Sequence, residues 1–168
     1  LSVKTSFPNS KKIYINSKKF KNVSVPMRRI SLSDKEIKNI IVYDTSGCYS
    51  DPKINHDYES GLHRLRLEWI KNRNGISKSQ KQTLKFLNHS KTVEPFPKIS
   101  RSIFKKKGKE EITQLYYARN NIITEEMEFC AIRENEGRER LIGDKFKKED
   151  LITAEFVREQ IALGEAII

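Results

Sequence analysis

The sequence predicts an α+β fold, with a small and mostly antiparallel sheet first and helices after it. Three observations carry this. Apolar and polar residues alternate over 11–15 and 22–33, the two-residue period of half-buried strands. A continuous apolar run, "IIVYD" at 40–44, has strand length. From 112 onward the apolar spacing lengthens to three and four, punctuated by the caps Thr124 and Thr153 and the stops Asn120-Asn121 and Gly164, as helices are.

Taken in order, "KKIYI" (11–15) is a short strand rich in β-branched residues. "NVSVPMRRISLS" (22–33) puts Val23, Val25 and Met27 on one face, and Pro26 is expected to confine it to an edge or a bulge. "IIVYD" is expected to be the most buried of the three. It stops in "DTSGCYSDP" (44–52), where Asp, Ser, Gly and Pro favour a turn. In "HDYESGLHRLRLEWIKNRNG" (56–75), Leu62, Leu65 and Trp69 recur at helical spacing, with Ser60 expected as the cap and Gly75 as the stop. Residues 76–111 show no sustained period and read as an extended surface connection.

The last third is predicted to hold three helices. Ile112, Leu115, Tyr116 and Arg119 share one side of the first, which Asn120 and Asn121 end. Thr124 caps the second, Glu125 and Glu126 place negative charge at its dipole's positive end, and Met127, Cys130, Ala131 and Glu134 form its stripe. Thr153 caps the third, with Glu155 in its first turn. There Phe156, Val157, Gln160 and Ile161 face inward and Gly164 ends it.

The 168 residues carry a net charge of +11, unevenly spread. Residues 1–40 hold 10 Lys/Arg against 2 Asp/Glu, 41–110 hold 15 against 7, and 111–168 hold 8 against 13. A basic front would suit nucleic acid. Lys (22) outnumbers Arg (11), however, and the Lys runs have little aromatic interleaving, so a nucleic-acid-binding module is the alternative and no specific nucleic acid is expected. No apolar run approaches the roughly 20 residues of a membrane-spanning helix. "LSVKTSFPNSKK" has no signal-peptide core, and a cytoplasmic protein with no membrane partner is expected. Cys48 and Cys130 stand 82 positions apart, in no CxxC pair, and are expected to be small, partly buried side chains.

Candidate chemistry is thin. "DTSG" (44–47) resembles an aspartic-protease loop but lacks Gly directly after the Thr and a second Asp-bearing copy, so Asp44 is read as a turn-former. His56 and His63 are seven apart, not the four of a two-His zinc helix, and His89 lies in a polar stretch. "KKKGKEE" (105–111) has one glycine and makes no phosphate loop. Glu126, Glu128, Arg133 and Glu134 read as an exposed ion-pair face. Catalytic, cofactor-binding, substrate-binding and metal-ligating residues are therefore expected to be none within 1–168.

The segments "VPMRRISLS" (25–33), "VYDTSGCYSDP" (42–52), "GLHRLRLEWIKNR" (61–73), "TQLYYARNNIITEEMEFCAIRENEGR" (113–138) and "ITAEFVREQIALGEAII" (152–168) occur together in this order. In this the chain resembles the N-terminal portion of the ThiC family, the phosphomethylpyrimidine synthases of thiamine biosynthesis. The resemblance covers nearly the whole chain and is weakest at 76–100. Three positions depart from it, Cys48 and Glu125 standing where the family usually has Pro, and Asn121 where it has Gly. The resemblance implies a small α+β domain preceding a (βα)8 barrel that is absent from this chain. It implies a lyase that converts aminoimidazole ribotide to hydroxymethylpyrimidine phosphate, using S-adenosylmethionine, a [4Fe–4S] cluster on a C-terminal CxxCxxxxC motif, and a divalent metal, zinc. It implies a homodimer as well. On it, 1–165 is the N-terminal domain and 166–168 the first residues of the barrel. "GEAII" reads as a helix stop followed by an unfinished strand, so a fragment is expected, inactive alone and tacky where the rest of its own chain would cover it.

Overall fold

The computed structural model describes residues 8–33, 37–51, 53–54, 63–79, 102–109, 111–142, 145 and 147–168, with the backbone alone for 139–142. These fall into two compact units, one from Leu1–Asp51 with Thr113–Ile168 and one from Pro52–Ile112. The fold is α+β, with small antiparallel sheets plus helices, as the patterning predicts.

In the first unit, β1 (Ser10–Asn16), β2 (Ser24–Ser31) and β3 (Asn39–Tyr43) make an antiparallel sheet in that order. Two expectations need correction here. Pro26 lies in the central strand rather than at an edge, and β2 rather than β3 is the most buried. The ladder explains how the proline is accommodated. Asp44 N–H donates to the Pro26 carbonyl, and the return bond would need a Pro26 N–H that does not exist. The pairing therefore stops, and β3 ends at Tyr43. Pro26 sets the length of its neighbour.

Side chains alternate across the sheet. Val25 and Met27, both 0% exposed, point to one face. Met27 is paired with Tyr43, whose ring meets that of Phe129 edge-on at 6.3 Å, so this face receives a helix. Lys12, Tyr14 and Arg28 point to the opposite face, which is covered by the chain leaving β3 through the 3₁₀ turn Gly47–Ser50.

The helix of the apolar face belongs to a second layer. Before it, α2 (Gln114–Arg119) is capped by Thr113, whose hydroxyl accepts the Tyr116 N–H at 3.1 Å. It buries Tyr117 and Ala118, not the expected Leu115 and Tyr116, because the C-terminal helix lies on the Ala118 side and sends Arg158 to its carbonyl at 3.1 Å. Asn121 adopts φ +57, the left-handed stop its sequence position predicts. The 18-residue α3 (Glu125–Ile142) starts at Thr124, whose hydroxyl also donates to Gln114 Oε1 at 2.7 Å. It buries Met127 and Ala131, leaves Cys130 half-buried and exposes Glu134. Next, α4 (Ala154–Leu163) runs from the Thr153 cap to Gly164 at φ +81. Val157 and Ile161 are buried, but Phe156 is 48% exposed, which corrects its inward assignment. Asn135 ties the two helices by donating to the Ile152 carbonyl at 2.9 Å and accepting its N–H at 2.8 Å. Residues 166–168 lie in no strand.

In the second unit the expected helix shortens to α1 (Leu67–Lys71). Trp69 is buried, but Leu65 precedes the helix and is exposed, so the two do not share a stripe. Leu62, Ser60 and His56 lie outside the described residues. The helix ends at Lys71, and Gly75, at φ +76, serves instead the turn that follows, where its carbonyl accepts the Lys107 N–H at 2.7 Å. The connection expected at 76–111 is partly sheet: β4 (Ile76–Ser79) pairs antiparallel with β5 (Ile103–Lys106). Four residues on each side are too few for a period to show. His89 and the rest of 80–101 lie outside the described residues.

Candidate functional site

The densest chemistry lies on the polar face of the three-stranded sheet. Lys12 and Arg28 are direct cross-strand partners, and like charges so placed repel unless an anion joins them. Asp44 supplies it. Its Oδ2 lies 2.8 Å from Arg28 Nη2 and 3.7 Å from Lys12 Nζ, with the Asp44 side chain 1% exposed. Its Oδ1 accepts the Ser46 N–H at 2.8 Å and the Ser46 hydroxyl, closing an Asx turn. Arg28 also donates to Ser50 Oγ at 2.6 Å and, through Nη1, to Ser10 Oγ at 3.0 Å. The Lys12 ammonium donates to the Gly47 carbonyl, and the Tyr14 hydroxyl donates to Asp51 Oδ2. Gly47 stands at φ +61, a left-handed conformation with open space beside it, so backbone freedom rather than close packing calls for glycine.

The electrostatics follow from that geometry. Burial alone would raise Asp44, but hydrogen bonds from the Ser46 hydroxyl and N–H, with the charges of Lys12 and Arg28, hold it below the usual carboxylate value. Burial pushes the Tyr14 phenol up, and its hydrogen bond to the charge of Asp51 pushes it further. Tyr14 thus stays a neutral donor, and the two cations face two carboxylates. Arg28, Asp44, Ser50 and Asp51 are all buried, with Arg28 donating to Asp44 and Ser50 and Asp51 accepting from Tyr14.

Asp44 is the turn-former at a strand end that the sequence predicts, and more: it is the counter-ion of two strands. Sequence reasoning missed Lys12, Tyr14, Arg28, Ser50 and Asp51. The available signal was strand parity, since Lys12 and Tyr14 share one face of β1 while Arg28 falls opposite to Val25 and Met27 on β2. The acidic residues of α3 also differ from expectation. Glu126 is buried and Glu128 accepts the Ser17 hydroxyl at 2.5 Å, so they do not form an exposed face; Arg133 and Glu134 pair at 3.4 Å in solvent. His63 is exposed. Cys48 is buried and Cys130 half-buried, both as free thiols, and burial pushes the Cys130 thiol up. Among the described residues no three His, Cys, Asp or Glu side chains gather as a metal site, and no helix is long and apolar enough to cross a membrane.

Residues 6–77 match the family model of the ThiC-associated domain. The matched stretch takes in β1 to β3, the Asp44–Asp51 turn and α1, so every residue of the buried polar cluster lies within it. The match supports the resemblance drawn from the sequence, to an N-terminal portion of the ThiC family and so to thiamine biosynthesis. Two of the departures from the family pattern are met at little cost. Asn121 takes the left-handed conformation that Gly adopts more freely, and Glu125 is the first residue of α3, where negative charge is welcome. Cys48 lies in the 3₁₀ turn, its carbonyl accepting the Asp51 N–H at 3.1 Å.

Proposed function

We propose that this chain is the scaffold and assembly portion of a phosphomethylpyrimidine synthase, the whole of which converts aminoimidazole ribotide to hydroxymethylpyrimidine phosphate. In this proposal the enzyme is a cytoplasmic homodimer and a radical S-adenosylmethionine carbon–carbon lyase. Its (βα)8 barrel, zinc and CxxCxxxxC motif belong to parts of the protein other than this chain. The cluster and S-adenosylmethionine would supply the radical. The chain's own residues do not fit the cluster, because its two cysteines cannot provide three thiolates.

The observation that supports a scaffold role is the mutual saturation of the Arg28–Asp44 cluster. Its charged groups are spent on one another and on backbone, which fixes a turn and leaves little to offer a substrate. The test is steady-state kinetics of the whole enzyme carrying substitutions in 1–165. Variants that still assemble should keep kcat and the KM for aminoimidazole ribotide. A folded, assembled variant with kcat reduced by orders of magnitude would refute the scaffold role. The +11 charge favours one other function, nucleic-acid binding, and a salt series with labelled RNA and DNA separates the two. Affinity surviving about 200 mM salt would favour that alternative, since binding through a few phosphate contacts fades by then.

A further inference from the structure

The two edges of the three-stranded sheet are not equivalent. Asp44 N–H donates to the Pro26 carbonyl and Leu32 N–H to that of Lys38, which fixes the alternation of the β2–β3 ladder. The bonds to β2 are therefore made by Ile40 and Val42, while Asn39, Ile41 and Tyr43 turn their N–H and C=O groups away from the sheet. Among the described residues no strand pairs with that edge. Native proteins blunt such edges with Lys, Pro or bulges. The outer strand β1 follows that practice with Lys11 and Lys12, but "NIIVY" in β3 has none of these devices.

The surroundings of β3 have a sign. The Arg133 guanidinium lies 4.9 Å above the Tyr43 ring, Arg29 is the exposed cross-strand neighbour of Ile41, and exposed Lys38 precedes the strand. We propose that the β3 edge is a strand-addition site for an extended peptide segment of a partner protein in which apolar residues alternate with acidic ones. The backbone groups of Asn39, Ile41 and Tyr43 supply the hydrogen bonds, and Ile40 and Val42 supply apolar neighbours on one face of the added strand. Arg29 and Arg133 stand on the Ile41 and Tyr43 face and select negative charge there, Arg133 sharing its charge with Glu134, and Lys38 adds a cation at the start of the strand. A second copy of this chain is the poorer occupant, because pairing β3 with β3 would bring two sets of these cations and two chains of +11 together.

The test is fluorescence anisotropy with a labelled peptide of about seven residues alternating Glu with Val or Ile, strand length in proteins. A Lys-for-Glu version serves as control. The Glu peptide should bind and the Lys peptide should not. The N–H of Ile41 points outward, so Ile41→Pro removes an edge donor without removing a bond to β2 and should weaken binding about tenfold or more. Lys38→Glu, an exposed change that spares the edge, should weaken it less and lower its salt sensitivity. Thermal melts confirm that both variants fold. Equal binding of the two peptides, binding indifferent to Ile41→Pro and Lys38→Glu, or no binding at all would overturn the proposal. So would concentration-dependent self-association that Ile41→Pro abolishes, because β3 would then be pairing with its own copy.

Discussion

The two faces of one sheet are held by opposite physics. One face carries Val25 and Met27 against α3 and relies on apolar burial, which has no direction and no titrating group. The other carries Lys12, Tyr14 and Arg28 against the turn that follows β3, and relies on charge and hydrogen-bond geometry. The difference teaches that strand alternation here is not core against solvent. Both faces are covered, and the polar one fixes a single conformation of a loop that has almost no apolar side chains of its own.

The largest expected effect comes from breaking the polar face. Arg28→Ala leaves Asp44 buried beside Lys12 alone and strips Ser10 and Ser50 of a donor, and should cost about 3–5 kcal/mol. Urea denaturation gives the value. A loss below about 1 kcal/mol, the worth of an exposed pair, would mean that the cluster is solvated rather than buried. On the apolar face Met27→Ala should cost about 2–5 kcal/mol through lost burial and a cavity, with no dependence on pH.

pH sharpens the contrast. Asp44 is depressed in the fold, so its contribution is present above its ordinary value of 3.8 and fades as pH falls through the lower folded value. Tyr14 is raised, so its contribution is present below its ordinary 10.0 and is lost as pH rises through the higher folded value. The Tm gap between wild type and Asp44→Asn should therefore close in acid, and the gap to Tyr14→Phe should close in strong alkali. The gap to Met27→Ala should stay constant in both. A Met27→Ala gap that moves with pH would show that the two faces are coupled.

The smallest effect is expected outside the sheet. Lys19 and Glu155 pair at 2.7 Å with more than half of each side chain exposed, and the Lys19 hydrogen bond holds the Glu155 carboxyl below its usual value. Solvent and salt screen such a pair, so Lys19→Ala should cost at most about 1 kcal/mol, less in high salt. A larger loss would identify the contact as a specific fastener of the β1–β2 hairpin to α4.

Much of this was legible in the sequence because it depends on near neighbours. Thr124 and Thr153 each stand just before a helix, and Asn121 and Gly164 end helices in the left-handed conformation, as local chemistry requires. The Thr113 cap is not legible in this way, because the apolar spacing places Ile112 inside the helix. The alternation of Val23, Val25 and Met27 marked the core face directly. Helix faces fared worse. Leu115, Tyr116 and Phe156 are apolar at helical spacing yet exposed, while Tyr117 and Ala118 are buried. Periodicity gives a stripe's angular width but not which neighbour will cover it.

What the sequence determined by itself is therefore the α+β class, the caps Thr124 and Thr153, the two left-handed stops and the likeness to the ThiC family. Each rests on residues close together in the chain, or on their order along it. Only the tertiary structure decided that Pro26 lies in the central strand, that β4 finds β5, and that Lys12, Arg28 and Asp44 share one buried cluster. Those outcomes depend on partners tens of residues apart, such as Lys12 with Gly47 or Ser17 with Glu128. A proline's missing donor or a buried cation's partner is settled by which strand arrives beside it, and no local pattern encodes that arrival.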